Sequence, residues 1–154
     1  MKVAIIYSSV TGNTKELAEE LYQILLEEVA DVSIFKIEKF PLSQLCSKYD
    51  AVMIGTYTWG NGEIPKEMWD LYQAFELLNT KGITTAVFGT GDSFYPKFCG
   101  AVDQFRDMLY VHTSLAATLK VELLPQKQDL QRCRKLVETL LRRASIRNQI
   151  KIER

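Results

Sequence analysis

Strand and helix patterns alternate along this chain from its first residues, and this alternation restricts the fold more than any other feature. Lys2–Tyr7 is a nearly continuous apolar run, which is typical of a central parallel strand covered on both faces. From Asn13 to about Val29 the apolar residues recur at helical spacing. We predict that Asn13 caps this helix, with Glu16 completing a capping box. The alternation predicts right-handed crossovers and a parallel, doubly wound α/β sheet.

The later segments continue the same alternation. Further strands are predicted at Val32–Ile37, Ala51–Gly55, Ile83–Gly89 and within Leu115–Leu124, where Pro125 ends the strand. Further helices are predicted from Pro65, at Phe98 to about Leu109, and at Leu130–Ala144. One apolar face of the Pro65 helix consists of Met68, Leu71, Tyr72, Phe75 and Leu78. The chain has no repeat or linker, so we expect one domain over residues 1–144 and a basic tail over residues 145–154.

Size and composition exclude several classes of protein. The 154 residues suit a single domain with a buried core. No apolar run approaches the ~18 residues that cross a membrane, and the first residues do not form a signal peptide. The three cysteines form no C-x-x-C pair and there is one histidine, so no metal site is expected. An odd cysteine count without a secretion signal predicts a reducing, cytoplasmic setting.

The net charge of zero conceals an asymmetry along the chain. Residues 1–126 carry 16 acidic and 10 basic side chains, whereas residues 127–154 carry 9 basic and 3 acidic ones. No aromatic residue lies among the basic ones, so a solvated basic helix is favoured over a nucleic-acid surface.

The loop after the first strand has the composition of a phosphate site. Ser8–Thr14 contains hydroxyls and a glycine, and it leads directly into a helix. Backbone N–H groups at a helix N-terminus bind anions, so this loop suits a phosphate, although an ordinary capped turn has the same composition. It contains no Lys or Arg and no Gly-Lys-[Ser/Thr] element, which argues against an ATP or GTP P-loop.

The loops after the third and fourth strands each place a large aromatic residue among small polar ones. Gly55–Gly62 contains Trp59, and Gly89–Pro96 contains Tyr95. In doubly wound sheets ligands bind beyond the carboxyl ends of the strands. Two aromatic rings on adjacent loops can enclose a planar ring there, although each ring alone is as readily a packing residue.

These residues together resemble the flavodoxin family. The first loop matches its [Ser/Thr]-x-Thr-Gly-x-Thr motif at Ser9–Thr14, the second its Thr-Trp-Gly loop, and the third its Gly-x-Gly-Asp-x-x-Tyr loop. The resemblance runs from residue 2 to about residue 144, lacks the long insertion of some members, and implies a short-chain flavodoxin with strand order 2-1-3-4-5. No glycine follows Gly100, so Tyr110–Leu124 fits the family less well.

The resemblance also implies a non-covalently bound flavin mononucleotide (FMN). Its phosphate is expected on Ser9, Thr11, Asn13 and Thr14, its flavin between Trp59 and Tyr95, and its pyrimidine edge near Asp92 and Cys99. The full predicted cofactor site comprises Ser8, Ser9, Val10, Thr11, Gly12, Asn13, Thr14, Thr56, Tyr57, Thr58, Trp59, Gly60, Asn61, Thr90, Gly91, Asp92, Tyr95 and Cys99.

The implied function is low-potential, one-electron transfer through a neutral semiquinone, without catalysis. A turn over Trp59–Gly62 requires positive φ at Asn61 in type II and at Gly60 in type II′, and Asn and Gly tolerate these angles. The sequence therefore permits the peptide flip that the family uses, and a static turn as well. Many members carry an acid where this chain has Asn61, which predicts a less depressed hydroquinone potential.

The expected partners are a flavodoxin/ferredoxin-NADP-type reductase as donor and an unidentified redox enzyme as acceptor, with the chain a monomer that binds neither nucleic acid nor membrane. One alternative is an FMN-dependent quinone or nitro reductase of the same fold, which needs an open flavin face. Others are a ribonucleotide-reductase-activating relative and a phosphate-binding module without flavin. Oxidation of NADPH by the chain alone separates the enzyme from the carrier.

Overall fold

One parallel sheet of five strands organises the protein. The computed structural model describes residues 1–153, and its strands are β1 (Lys2–Tyr7), β2 (Asp31–Lys36), β3 (Ala51–Tyr57), β4 (Thr84–Gly91) and β5 (Ser114–Glu122). They are hydrogen-bonded in the order β2-β1-β3-β4-β5, and every pairing is parallel. The predicted doubly wound sheet and its strand order are confirmed.

Helices cover both faces of this sheet. They are α1 (Asn13–Glu28), α2 (Leu45–Lys48), α3 (Trp69–Leu77), α4 (Gly100–His112) and α5 (Leu130–Glu153). Short 3₁₀ turns occupy Ile37–Lys39, Leu42–Gln44, Lys66–Met68 and Lys127–Asp129.

Successive residues of β1 enter two different cores, as the two-residue period of a strand requires. Val3 and Ile5 pack with residues of α1 and α5, such as Leu17, in one core. Ala4 and Ile6 pack with residues of α3 and α4 in the other. The continuous apolar run in the sequence follows from this burial on both faces.

The start of α1 differs from the prediction. Gly12 precedes the helix with φ +98°, and Asn13 is the first helical residue rather than its cap. No side chain caps α1, so the predicted capping box with Glu16 is wrong. Glycine adopts this left-handed conformation without a steric penalty, which lets the chain turn directly from the loop into the helix.

Several other element ends also differ. The 3₁₀ turn Lys66–Met68 lies between Pro65 and α3, and Leu78 is 45% exposed at the helix end instead of lining its apolar face. The last strand ends at Glu122, before Pro125 is reached. Leu123 follows it with φ +55° and turns the chain. Strands β3 and β4 each run two residues beyond the predicted ends, to Tyr57 and Gly91.

The short connection between α4 and β5 contains a threonine and no glycine. Thr113 connects the two elements with φ −138°, which any residue adopts. Its N–H and its hydroxyl both donate to the Leu109 carbonyl, at 2.9 and 2.7 Å, and the hydroxyl also pairs with that of Thr85 at 2.6 Å. The connection therefore needs no positive φ.

Helix α5 continues well past its predicted end at Ala144. Its basic side chains bond to backbone carbonyls near the amino ends of β4 and β5: Arg147 to Lys81 at 2.6 Å, Lys151 to Gly82 at 3.0 Å, and Arg143 to Leu115. Residues 145–153 are thus helical, and their charge is directed at one edge of the sheet.

Gly89 in β4 allows the backbones of β3 and β4 and the side chains of α4 to approach closely. A Cβ at Gly89 would overlap the Thr56 carbonyl oxygen and the Val102 Cγ2. We therefore expect Gly89→Ala to lower the free energy of unfolding by roughly 2 kcal/mol or more, as overpacking does. Urea denaturation measures the change.

Gly82→Ala is the matched control for this substitution. Its added Cβ would meet only the flexible end of Lys151, at 3.5 Å, and its φ is not in the left-handed region. We expect a change within about 0.5 kcal/mol, typical of surface positions. Equal destabilisation by the two alanines would contradict the packing argument.

Candidate functional site

Three loops meet at the carboxyl edge of the sheet. They are the β1–α1 loop (residues 8–12), the β3 loop (residues 58–64) and the β4 loop (residues 92–99). Their parent strands are neighbours in the sheet, and the Ser8 N–H donates to the Gly55 carbonyl at 3.0 Å. The ligand position expected for a doubly wound sheet is therefore lined by the three loops that the sequence singled out.

The β1–α1 loop leaves the N-terminus of α1 open to an anion. The Gly12 N–H donates to the Ser9 hydroxyl at 3.2 Å, which closes the loop, and no side chain caps the helix. The first N–H groups of a helix have no partner within the helix and carry partial positive charge. Val10 and Thr11 are exposed, while Asn13 is half-buried. This geometry suits a phosphate bound by backbone and hydroxyl donors.

A buried hydrogen bond connects the start of α1 to the end of β4. The Thr14 and Thr90 hydroxyl oxygens are 2.7 Å apart, and the two residues are 1% and 3% exposed. One hydroxyl donates to the other, and each retains further capacity to bond a ligand. The bond holds the β1–α1 loop in register with the β4 loop.

A carboxylate that the sequence interpretation missed joins the first two loops. Glu67 Oε1 accepts hydrogen bonds from the Ser8 hydroxyl at 2.7 Å and from the Tyr57 hydroxyl at 2.6 Å. Burial raises the pKa of Glu67, but these hydrogen bonds together with a backbone hydrogen bond outweigh it, and the pKa is lowered overall. Burial and the bond to Glu67 raise the pKa of Tyr57. Ser8 and Tyr57 both belong to the predicted cofactor site, and their hydroxyls donate to Glu67, a residue that no local sequence signal marked.

The β3 loop is a tight hairpin. Trp59 and Glu63 exchange two backbone hydrogen bonds of 2.8 and 2.7 Å, so the turn spans five residues rather than the predicted four. Positive φ occurs at Gly60 (+49°) and Gly62 (+86°) and not at Asn61. The structure therefore matches the predicted turn state with positive φ at Gly60, and not the one with positive φ at Asn61.

The β3 loop packs against the N-terminal part of helix α4. The Thr58 hydroxyl accepts the Ala101 N–H at 3.2 Å, and the Gln104 side chain donates to the Gly62 carbonyl at 2.7 Å. A Cβ at Gly100 would lie only 2.8 Å from the Gly62 Cα. The small residues at both positions let the loop lie directly on the helix N-terminus.

The β4 loop folds around Asp92. Its carboxylate accepts the Phe94 N–H at 2.9 Å and its carbonyl accepts the Tyr95 N–H at 3.1 Å. The Phe94 and Tyr95 rings meet edge to face with centroids 5.9 Å apart. Tyr95 is 61% exposed, as is Trp59 on the β3 loop, so both rings have surface available for a ligand.

A pocket of about 350 Å³ lies between the β3 and β4 loops. It is lined by Thr58, Gly60, Asn61, Gly62, Gly91, Asp92, Tyr95, Pro96, Lys97, Phe98 and Cys99. Gly62, Pro96, Lys97 and Phe98 were not among the predicted site residues. Gly62 belongs to the predicted Trp59–Gly62 turn, and the other three directly follow Tyr95 in the sequence. Trp59 does not line this pocket.

Two predicted site residues are buried beneath the loops. Cys99 is almost fully buried with φ +52°, its thiol approaches the Gly89 carbonyl with an Sγ–O distance of 3.9 Å, and burial raises its pKa to about 12. The thiol is therefore neutral and packs under the pocket. Thr56 is fully buried, and its hydroxyl donates to the Tyr57 carbonyl at 2.7 Å.

The pocket and the open end of α1 fit a phosphorylated flavin. A volume near 350 Å³ lies within the range of small-molecule sites. A Cβ at Gly91 would lie 3.0 Å from the Cys99 Sγ, and one at Gly62 would lie 2.7 Å from the Lys97 side chain. The absence of a side chain at these two glycines therefore lets the segments that line the pocket pack closely together. Aromatic rings and backbone polar groups suit a planar, polar-edged ring system.

Comparison with known proteins identifies related sequences and structures. The family model described as Flavodoxin matches residues 5–136. "Probable flavodoxin 1" of Bacillus subtilis is 39% identical over 98% of this chain and 97% of its own. The flavodoxin of Maridesulfovibrio salexigens is 34% identical over 84% of this chain and 91% of its own. The crystal structure of oxidised flavodoxin 1 from Bacillus cereus superposes with a TM-score of 0.84 at 32% identity, covering 92% of this chain and 98% of that one.

The chain belongs to the flavodoxin family. Its cofactor is accordingly FMN, and it is an electron-transfer protein rather than an enzyme, as predicted. Such a carrier implies a reductase and an acceptor as partners. In residues 1–153 no helix is both long and apolar enough to cross a membrane, and no three His, Cys, Asp or Glu side chains are placed to hold a metal ion.

The Thr14–Thr90 bond yields a test of how the two loops are joined. We expect Thr14→Val or Thr90→Val alone to lower the free energy of unfolding by about 1–3 kcal/mol, because each leaves a buried hydroxyl without its partner. The double valine variant removes both hydroxyls and should cost less than the sum of the single changes. Urea denaturation without FMN measures the cycle, and additive changes would contradict the bond.

Proposed function

We propose that this flavodoxin binds FMN across the three loops and passes single electrons from a flavodoxin/ferredoxin-NADP-type reductase to an acceptor protein. The observation that carries the proposal is the meeting of an uncapped helix N-terminus with an aromatic-lined pocket at one sheet edge. FMN has a phosphate at one end and a planar ring at the other, so it matches both features.

The phosphate end of the proposed site is the β1–α1 loop. Ser9, Thr11, Asn13 and Thr14 supply hydroxyl, amide and backbone donors, while Gly12 permits the turn that aims them. The loop contains no cation, so the helix N-terminus and neutral donors hold the phosphate. Thr14 can donate to the phosphate while it accepts from Thr90.

The flavin end is the pocket between the β3 and β4 loops. Tyr95 lines it directly, and Trp59, exposed on the neighbouring hairpin, supplies the second aromatic ring. Asp92 and Cys99 also line this pocket. FMN supplies reversible electron transfer there, while the two exposed rings supply stacking and keep water from the flavin.

The hairpin accounts for one-electron behaviour. The Gly60–Asn61 peptide can flip while the two backbone hydrogen bonds between Trp59 and Glu63 stay in place. Gly60 already has positive φ, and an asparagine such as Asn61 can adopt positive φ as well. One orientation presents a carbonyl acceptor toward the pocket, and the other presents an N–H donor. The protein thereby holds a proton on the flavin edge without adding a charged side chain.

The cellular setting is part of the same proposal. Cys46, Cys99 and Cys133 are free thiols, which suits a reducing cytoplasm. We expect a monomer, because a carrier must present its site to successive partners. The neutral net charge sets it apart from strongly acidic carriers and points to partners with a less basic docking surface.

Stepwise anaerobic reduction followed by visible absorption tests the proposal. We expect a yellow protein with FMN bound that passes through a distinct one-electron stage with long-wavelength absorption. NADPH alone should not bleach the protein, whereas NADPH with a reductase should. Direct two-electron bleaching, or NADPH oxidation by the chain alone, would instead favour a quinone or nitro reductase, and a colourless protein that ignores FMN would contradict the cofactor site.

Asn61→Asp tests the electrostatics of the hairpin. Asn61 lines the pocket, so a carboxylate there opposes the negative charge that accompanies the second electron. We expect the potential of that step to fall by on the order of 20 mV, corresponding to ~0.4 kcal/mol for unit charges about 10 Å apart in water. A redox titration measures it.

Asn79→Asp makes the same chemical change in the exposed segment after α3, at the opposite edge of the sheet. The potential of this control should stay within a few millivolts of wild type. Equal shifts in both variants, or an unchanged potential in Asn61→Asp, would contradict the placement of Asn61 beside the flavin.

A further inference from the structure

Glu67 occupies an unusual position for a carboxylate. Its Oε1 accepts hydroxyls from Ser8, the first residue of the β1–α1 loop, and from Tyr57, the last residue of β3. Glu67 itself belongs to the Lys66–Met68 turn, so one oxygen atom joins three separate segments. One of these segments, Ser8, directly precedes the Ser9–Thr14 motif of the proposed phosphate site.

A negative charge beside a phosphate site is unfavourable by Coulomb's law alone. Within residues 1–153 no Lys or Arg forms an ion pair with Glu67. Hydrogen bonds from the Tyr57 and Ser8 hydroxyls and from a backbone N–H lower its pKa against the effect of burial. The value of the residue therefore lies in accepting these two bonds rather than in its charge.

Both hydroxyls depend on this acceptor. Ser8 is 3% exposed and Tyr57 is half-buried, and neither hydroxyl donates elsewhere in the part of the chain that the structure describes. Loss of the acceptor leaves a buried Ser8 hydroxyl unpaired, which is costly, and frees its rotamer. The adjoining Ser9–Gly12 turn then loses its fixed starting point on β1.

We propose that Glu67 is a positioning residue for the FMN phosphate. It anchors Ser8 so that the loop behind it presents Ser9, Thr11 and the N–H groups of α1 in one orientation. This inference rests on the proposed function of the β1–α1 loop. It assigns to Glu67 no contact with FMN, since its oxygen is directed at Ser8 and Tyr57.

Two substitutions separate the acceptor from the charge. Glu67→Gln keeps an acceptor oxygen and removes the charge, whereas Glu67→Leu removes both. We expect Glu67→Leu to weaken FMN binding about tenfold, as the loss of hydrogen bonds to a charged group does, and Glu67→Gln to stay within about threefold of wild type. If charge alone mattered, both variants would bind FMN more tightly than wild type.

Riboflavin, which lacks the phosphate, supplies the readout that distinguishes positioning from general damage. The measurement is flavin fluorescence quenching on titration of the full chain with FMN and separately with riboflavin. In Glu67→Leu the FMN affinity should fall about tenfold and the riboflavin affinity less than twofold. Ser8→Ala should reproduce this selective loss, and it remains informative if Glu67→Leu fails to fold.

The control is Asp70→Asn, which removes an exposed carboxylate three residues from Glu67. It should leave both affinities unchanged. Equal loss of FMN and riboflavin affinity in Glu67→Leu and Ser8→Ala would overturn the positioning role, and so would unchanged or tighter FMN binding. A wild-type chain that binds riboflavin and FMN equally would instead overturn the proposed phosphate site, and a chain that binds neither would overturn the proposed function.

Discussion

Burial of both faces of the parallel sheet is the constraint from which the rest of this structure follows. Val3 and Ile5 belong to one core, and Ala4 and Ile6 belong to the other, so neither face can be left to solvent. Each strand must then be followed by a helix that returns across a face, and the connecting loops are restricted to the two edges. With β1, β3 and β4 adjacent, their loops meet at one edge, where FMN is proposed to bind.

The two edges of the sheet are stabilised by different chemistry. At the carboxyl edge side-chain hydroxyls make the connections: Thr14 bonds to Thr90, and Ser8 and Tyr57 donate to the Glu67 carboxylate. At the amino edge cations of α5 bond to carbonyls, as in Arg147 and Lys151. The basic end of the chain is thus directed away from the site. Because the β1–α1 loop contains no Lys or Arg, the α1 N-terminus is the positive element of that loop that meets a phosphate.

The periodic elements were predictable because their signal is local. The apolar run of β1 and the helical spacing of α1 each lie within a few turns of chain, and both appeared where expected. The ends of the helices were less predictable. Asn13 was interpreted as the cap of α1 from its residue type, whereas the residue that precedes the helix is Gly12, with φ +98°. Helix α5 continues past Ala144, and there its Arg147 and Lys151 side chains bond to carbonyls of distant segments, contacts that a sequence window cannot contain.

The sequence by itself determined the sheet, its alternating helices, and the three loops with their glycines, hydroxyls and aromatic residues, because these depend on local periodicity and residue type. Only the tertiary structure decided which hydroxyl meets which partner. Ser8 and Glu67 are 59 residues apart in the chain, and Thr14 and Thr90 are 76 apart. Side-chain hydrogen bonds of this range depend on strand order and on the depth at which each strand ends, and no short segment of sequence encodes either.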